Sequence, residues 1–433
     1  MYNKILLAVL IFFAVPFTAC EARGDSAPIG VQEAVSLTLE NNSYLRQLKQ
    51  ELIKADAFRI QADGTMLPTV TVNLSAAKQK ELQTSDGSDR TDSRTAKAGI
   101  EQTLYSGGKN SALRRQSGQV RTIAELALQN GENGAVGELF GRFYNVLLQG
   151  ERIKAEEAAV NRSNLHLREV KKMNELGLAN RLEVIRAAQT LASNTADLST
   201  ARGKFEAANI SLMNYMAIPP ERKRPVSGDL LSEEAKGDRE ESLKYAAEFR
   251  ADFKKLKEQL GYQKNQITIE KSSSLPKITL GAYGGVNNPY GNRDESDDTW
   301  KAELSLTVPI FDRNVSRGNV LKAKAALEQN RLELEQKEID IKSEVETAWT
   351  EIESAKQRLT ASSKALEFAA ESLRLAEVGY REGVSPQLDL LAAQSMFTTA
   401  MLDHASAKYN HLMALVALKM TEGTIVEWSR GIK

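Results

Sequence analysis

The chain has 433 residues, with 57 basic and 57 acidic side chains and a formal charge of zero, which removes the electrostatic ground for a nucleic-acid partner. Aromatic residues are only 6% and charged residues 26%, a mixture expected of long helices with narrow apolar stripes rather than one large globular core. The three histidines and the single cysteine form no cluster with ligand spacing, and no nucleotide loop or nucleophile constellation appears, so neither an enzyme, a metal nor a cofactor is expected.

Residues 1–20 read as an export signal, with Lys4 in the charged region, apolar residues 5–15, and small residues toward Cys20. That run is too short to cross a bilayer as a helix, and no other stretch approaches ~18 uninterrupted apolar residues. A helical inner-membrane protein is therefore excluded, and integral contact with a membrane has to use strands. Phe17-Thr18-Ala19-Cys20 is like the box that precedes a lipidated cysteine, with Phe17 at a position usually held by Leu. Cys20 is thus a candidate lipidation site, and ordinary cleavage after Ala22 or Ala27 is the alternative.

Residues 29–217 are expected to form a helix, strands at 69–80 and 95–105, a long helix at 109–176, and a further helix at 178–217. The strands alternate with period two: Val70, Val72, Leu74 and Ala76 oppose Thr69, Thr71, Asn73 and Ser75. In the second strand Ala96, Ala98, Ile100 and Leu104 oppose Thr95, Lys97, Glu101 and Thr103, with Gln102 breaking the apolar row. Gly107-Gly108-Lys109 lacks the spacing of a phosphate loop and reads as a strand-to-helix turn. Gly131, Gly134, Gly137 and Gly141 weaken the long helix locally and predict a bend or an irregular belt. Residues 218–239, rich in Pro, Gly and charge, read as a linker.

Residues 240–421 repeat the order, with strands at 277–287 and 299–310, a long helix at 319–382 and a helix at 386–421, followed by a tail at 422–433. Leu275-Pro276 lies 208 residues after Leu67-Pro68, and Ile310-Phe311 lies 206 after Leu104-Tyr105. Val345, Ile352, Leu359, Leu366 and Leu373 recur every seven residues, and 206 residues earlier stand Leu139, Val146, Ile153, Val160 and Leu167. The chain is read as a tandem duplication, and the heptads imply left-handed supercoiling against neighbours. A second row in the later copy (Ile341, Ala348, Ala355) is Ala135, Arg142 and Gln149 in the earlier one. The halves should then pack alike on one side and differently on the other.

Four amphipathic strands of bilayer-crossing length leave two open edges, which lipid does not tolerate. Closure must come from other chains, and three copies give an even, twelve-stranded barrel wide enough for a water-filled bore. The fold class read from this is mixed α and membrane β, with a trimeric twelve-stranded barrel continued by a long helical coiled-coil barrel as the expected form, although the residues alone allow other closed rings. The connecting segments 81–94 and 287–298 are polar, as suits extracellular loops.

Glu175-Leu176-Gly177-Leu178 and Tyr380-Arg381-Glu382-Gly383-Val384-Ser385, the latter continuing into Leu388-Asp389-Leu390-Leu391-Ala392-Ala393-Gln394, mark the helical breaks. In this order and spacing the chain resembles the TolC family of outer-membrane efflux proteins over essentially its whole mature length. The resemblance implies a homotrimer in outer-membrane lipid that reaches into the periplasm, serving efflux or type I secretion. It implies a periplasmic adaptor protein and an inner-membrane pump as partners. It places a gate at the tip formed by the breaks at Gly177 and Gly383, where Glu183 and Tyr380 tie neighbouring coils and Asp389 lines a constriction. Ser385 and Ala392 depart from the family pattern, so a less heavily bonded gate is expected. From the residues alone, Glu183 and Asp389 serve equally as acids at helix N-termini, and Tyr380 as a packing residue. A periplasmic coiled-coil adaptor or structural protein is the competing function, although it would be expected to show one hairpin without amphipathic strand pairs.

Overall fold

The computed structural model describes residues 27–80, 90–219, 223–230, 235, 237–288 and 297–431. The export signal at 1–20 with Cys20, most of the connecting segments 81–94 and 287–298, and parts of the linker at 218–239 lie outside the described residues.

Thirteen elements follow in chain order among the described residues. Helices α1 (Val31–Asn41) and α2 (Ser43–Gly64) precede strands β1 (Thr69–Lys80) and β2 (Arg90–Ser106). Next come α3 (Lys109–Glu175) and α4 (Arg181–Tyr215). The order then recurs as α5 (Arg239–Phe249), α6 (Ala251–Ser272), β3 (Lys277–Asn288), β4 (Asp297–Thr307), α7 (Val315–Arg381) and α8 (Gln387–Glu422). The starts of α1, α2 and β1 recur 208 residues later, and those of α3 and α4 recur 206 later. A short α9 (Ile425–Gly431) lies where the sequence suggests only a tail.

The leading helix of each half is two helices rather than one, because a residue with extended backbone interrupts it. At Asn42 the side-chain oxygen accepts from the Tyr44 and Leu45 N–H groups at 3.0 and 3.4 Å, so the residue caps α2. At Arg250 the side chain makes no cap, and ion pairs hold the break instead. Helix α7 starts four residues before the expected Asn319, because Asp312 accepts from the Ser316 N–H at 2.8 Å and supplies an early N-terminal partner. Strand β4 ends at Thr307, so Val308 and Ile310 leave the expected apolar row; Pro309 just beyond has no N–H for a ladder.

Helices α3 and α7 have 67 residues each, on the order of 100 Å of rod. Helix α4 folds back along α3 and α8 along α7, while α2 and α6 flank the other half of the rods. The largest apolar cluster sits midway along α3, where Phe140, Phe143, Tyr144, Leu212, Met216 and Ile425 converge. Elsewhere the buried stripe is narrow: Val345, Ile352 and Leu373 of the heptad are buried, with Ile341, Ala348 and Ala355 beside them. In the first half Ala135 and Gln149 of the second row are buried, while Arg142 between them is half-exposed.

Gly131, Gly134, Gly137 and Gly141 do not interrupt α3. At Gly131 an added Cβ would lie 2.2 Å from Leu48 Cδ1, and at Gly137 2.2 Å from Met420 Sδ. These two are seats where α2 and α8 approach the rod closely.

Candidate functional site

The four strands form one antiparallel sheet in the order β1-β2-β3-β4, with β1 and β4 at its edges. Alternation puts the even-numbered residues on one face. Val70, Val72, Leu74, Trp300, Leu304 and Leu306 on it are all exposed, Trp300 at 85%. Such a concentration of exposed apolar side chains marks a surface made for lipid or a partner. The odd-numbered face carries Thr, Ser and Asn with the charged Lys97, Glu101, Lys277, Lys301 and Glu303. Gln102, the polar exception in the apolar row, lies where the sheet meets the helices and donates to the Met66 carbonyl at 2.9 Å. No described helix is long and apolar enough to cross a membrane.

At the far end of the rods, two tight turns join α3 to α4 and α7 to α8. Both follow one hydrogen-bond pattern. The Gly177 N–H reaches the Asn174 carbonyl at 3.0 Å and Leu178 N–H the Met173 carbonyl at 2.7 Å. The Gly383 N–H reaches Tyr380 at 3.1 Å and Val384 N–H reaches Gly379 at 2.8 Å. The glycines sit at φ +75° and +73°, the left-handed position that this helix ending requires.

The other expected tip residues fall into two groups. Glu183 stands three residues after Asn180, which caps α4. Asn180 Oδ1 accepts from the Glu183 N–H at 2.9 Å, and its Nδ2 donates to Glu183 Oε1 at 2.9 Å. This is a side-chain variant of the capping box, so in the single chain the Glu183 carboxylate serves its own helix. Asp389 occupies the matching place in α8 and is exposed, but the residue before that helix is Pro386, which offers no side-chain cap.

Tyr380 packs against the small apolar cluster of Leu373, Leu390 and Ala393. Its ring meets that of His166 edge-on at 5.3 Å between centroids. Its hydroxyl is buried without a hydrogen-bond partner. Burial, then the charges of Glu183 and Glu169, push that phenol above its usual value. Tyr380 and Glu183 are not bonded directly; two residues the sequence did not single out for the tip lie between them. Gln387 Nε2 donates to the Glu183 carbonyl at 2.9 Å and lies 3.2 Å from His166 Nε2.

The Glu183 carbonyl can only accept, so it fixes the Gln387 amide as donor and makes His166 Nε2 an acceptor. His166 is therefore the neutral Nδ1–H tautomer, and its Nδ1 is itself buried without a partner. Burial lowers its pKa, against the smaller opposing pull of Glu169 and Glu183. The sequence held a faint signal for this centre: Gln387 replaces the Arg181 of the matching position and follows a helix-starting proline.

A sequence profile described as outer membrane efflux protein matches residues 34–217 and again 243–424. Nodulation protein T of Rhizobium leguminosarum bv. trifolii is 25% identical over 264 residues, 57% of this chain and 54% of that one. The cobalt-zinc-cadmium resistance protein CzcC of Cupriavidus metallidurans is 25% identical over 324 residues, covering 71% of this chain and 68% of CzcC. The chain thus spans about half the length of the nodulation protein it matches. The CmeC outer membrane channel of Campylobacter jejuni shares the fold, with a TM-score of 0.82 over 91% of this chain and 86% of that one, at 16% identity. The family is one of channel proteins, not enzymes. With both halves matched by its profile, the chain belongs to the outer membrane efflux protein family.

Proposed function

We propose that three copies of the chain close their sheets into one twelve-stranded barrel in the outer membrane, continued by a helical tunnel into the periplasm. The carrying observation is the four-stranded sheet with one exposed apolar face and free edges at β1 and β4, set at one end of rods about 100 Å long. Free strand edges are untenable in lipid, and an amphipathic sheet closed by its neighbours satisfies them. The duct is passive and serves a tripartite efflux or type I secretion apparatus, with a periplasmic adaptor and an inner-membrane pump at its tip.

The recurrence of element starts at constant offsets supports an origin by tandem duplication. Residues 1–20 serve as the export signal, and Cys20 is the lipidation candidate, which the mass of the mature N-terminus would decide. The tip gate is assigned to the Gly177 and Gly383 turns with Glu183, Tyr380 and Asp389. The buried, unpaired hydroxyl of Tyr380 supports this, since a polar group left so in one chain is suited to a partner from a neighbouring coil.

The architecture is tested by heat-modifiable migration of a trimer on a gel, together with fractionation of outer membranes. Recovery as a soluble periplasmic monomer would overturn it. A double-mutant cycle of Glu183→Gln and Tyr380→Phe, read as single-channel conductance, tests the gate. Strictly additive effects would remove the link between the two.

A further inference from the structure

The polar face of the sheet holds one aromatic side chain among the described residues of β1, β3, β4 and β2 up to its bulge at Thr103: Tyr283 on β3. Two glycines make room for it. Gly99 is its direct cross-strand partner on β2, and Gly281 is its same-face neighbour on β3. A Cβ built at Gly99 would lie 2.4 Å from Tyr283 Cδ1, and one at Gly281 2.8 Å from Cε2 and 2.9 Å from the hydroxyl oxygen. Both glycines are buried on a face that is otherwise open, because the ring lies over them.

Gly285, on the same strand, is different. A Cβ there meets the Ala96 carbonyl oxygen at 2.2 Å, so close backbone approach accounts for it. At Gly99 and Gly281 the nearest atoms all belong to the Tyr283 ring. The hydroxyl is held toward β2 by donation to Glu101 Oε2 at 3.3 Å. On the other side, Lys301 and Glu303 pair with each other at 2.5 Å along β4, leaving the ring's space clear. The usual flank of a strand glycine is a packing gap; here an aromatic ring fills it.

Resting on the reading of the sheet as part of a barrel with its polar face inward, we propose that Gly99 and Gly281 set the bore of the duct by giving Tyr283 room to lie against the wall. The ring lies flat on a saddle made by Gly99 and Gly281, and this keeps the barrel open midway along the strand. With three chains, three rings stand at one height. Filling the saddle with methyl groups lifts each ring off the wall and into the passage, since the nearest atoms to both added groups belong to the Tyr283 side chain.

The test is polymer exclusion. Full-length trimers are inserted in planar bilayers, and neutral polyethylene glycols of graded size are added on the barrel side while the current is read. A polymer small enough to enter lowers the conductivity of the barrel segment, and the cut-off is read from the fall in current through the barrel's share of the series resistance. The Gly99→Ala/Gly281→Ala variant is expected to exclude smaller polymers than the parent, and adding Tyr283→Ala to it is expected to restore the parental cut-off. Tyr283→Ala alone is expected to leave the cut-off unchanged, because the ring already lies against the wall.

An unchanged cut-off in the double-glycine variant, or no restoration by Tyr283→Ala, would overturn the inference. So would a clear rise in cut-off from Tyr283→Ala alone, and that variant decides the matter if the double-glycine variant does not assemble. Absence of a heat-modifiable trimer or of any current in the parent is a different result: it overturns the barrel reading and this inference with it.

Discussion

The two halves of the chain use one backbone path and hold its corners by different means. At the first corner, Asn42 caps α2 and also donates to the Tyr215 carbonyl at 3.3 Å. At the matching corner, Arg250 is only 8% exposed and its guanidinium forks onto Asp252 at 3.0 and 2.7 Å. Glu344 of α7 also binds Arg250, and Lys337 closes the group at 2.9 Å from Asp252. Burial alone would raise the Asp252 carboxyl, but the hydrogen bonds from Arg250 and Lys337 outweigh it and hold the group well below the usual carboxylate range. The tip repeats the lesson: two identical glycine turns, one followed by an Asn cap and one by a proline without a cap. Backbone geometry is the shared requirement, and the polar groups that satisfy it are free to diverge because each need only complete a local set of bonds.

The largest effect should come from breaking the charged corner. Arg250→Ala leaves two carboxylates without their main partner and is expected to cost about 3 kcal/mol. Asn42→Ala, which removes only a cap, is expected to cost about 1 kcal/mol. Denaturant midpoints of the detergent-solubilised protein give the order, and equal shifts would mean the two corners are equivalent after all.

Next come the turns. Gly177→Ala and Gly383→Ala each force a side chain into the left-handed region, for about 1–2 kcal/mol apiece. No atom lies within 4 Å of the added Cβ at either site, so the two costs should match. A marked difference in thermal unfolding would show that one turn is already strained or mobile.

The caps after those turns should differ more subtly. Asn180→Ala is expected to lose about 1 kcal/mol, whereas Pro386→Ser supplies a missing cap to α8 and is expected to gain several tenths. If both substitutions destabilise, the proline is contributing through its fixed backbone rather than merely lacking a cap.

The smallest effect is in pH. The folded pKa of His166 is lowered, chiefly by burial, so its neutral form contributes stability above the unfolded value of ~6.5 that is lost as pH falls. Protonation would also set an N–H against the Gln387 donor. His404, lowered by burial and then by Lys408, acts with the same sign. His166→Asn should therefore flatten, without abolishing, the loss of stability on mild acidification. An unchanged pH profile would show that His166 does not titrate in this range.

Much of the fold is legible in the residue order because its signals are periodic and local. Period-two alternation from Thr69 to Ala76 and from Trp300 to Leu306 separates strand from helix without knowledge of any neighbour. The heptads through Val345 and Ile352 mark the rods, and prolines at 68, 276, 309 and 386 mark their limits. The corners at Asn42 and Arg250 escape such reading, since apolar periodicity continues on both sides and a one-residue break leaves no proline or glycine. The early start of α7 depends on Asp312 reaching Ser316, which a heptad count does not register.

The candidate tip divides along the same line. Gly177 and Gly383 stand out in the sequence because a left-handed helix ending almost demands glycine. That Glu183 closes onto Asn180, that Tyr380 leans on His166, and that Gln387 joins the two halves are decided by tertiary packing. Those contacts bring together residues as far as 221 positions apart, and no local pattern encodes which of them meet. The saddle of Gly99 and Gly281 under Tyr283 is of the same kind. Sequence by itself determined where this chain is rod, strand and turn; only the folded structure decided which glycine makes a turn, which seats a helix and which carries a ring. The physical reason is that periodicity is a property of one segment, whereas room for a Cβ is a property of what lies against it.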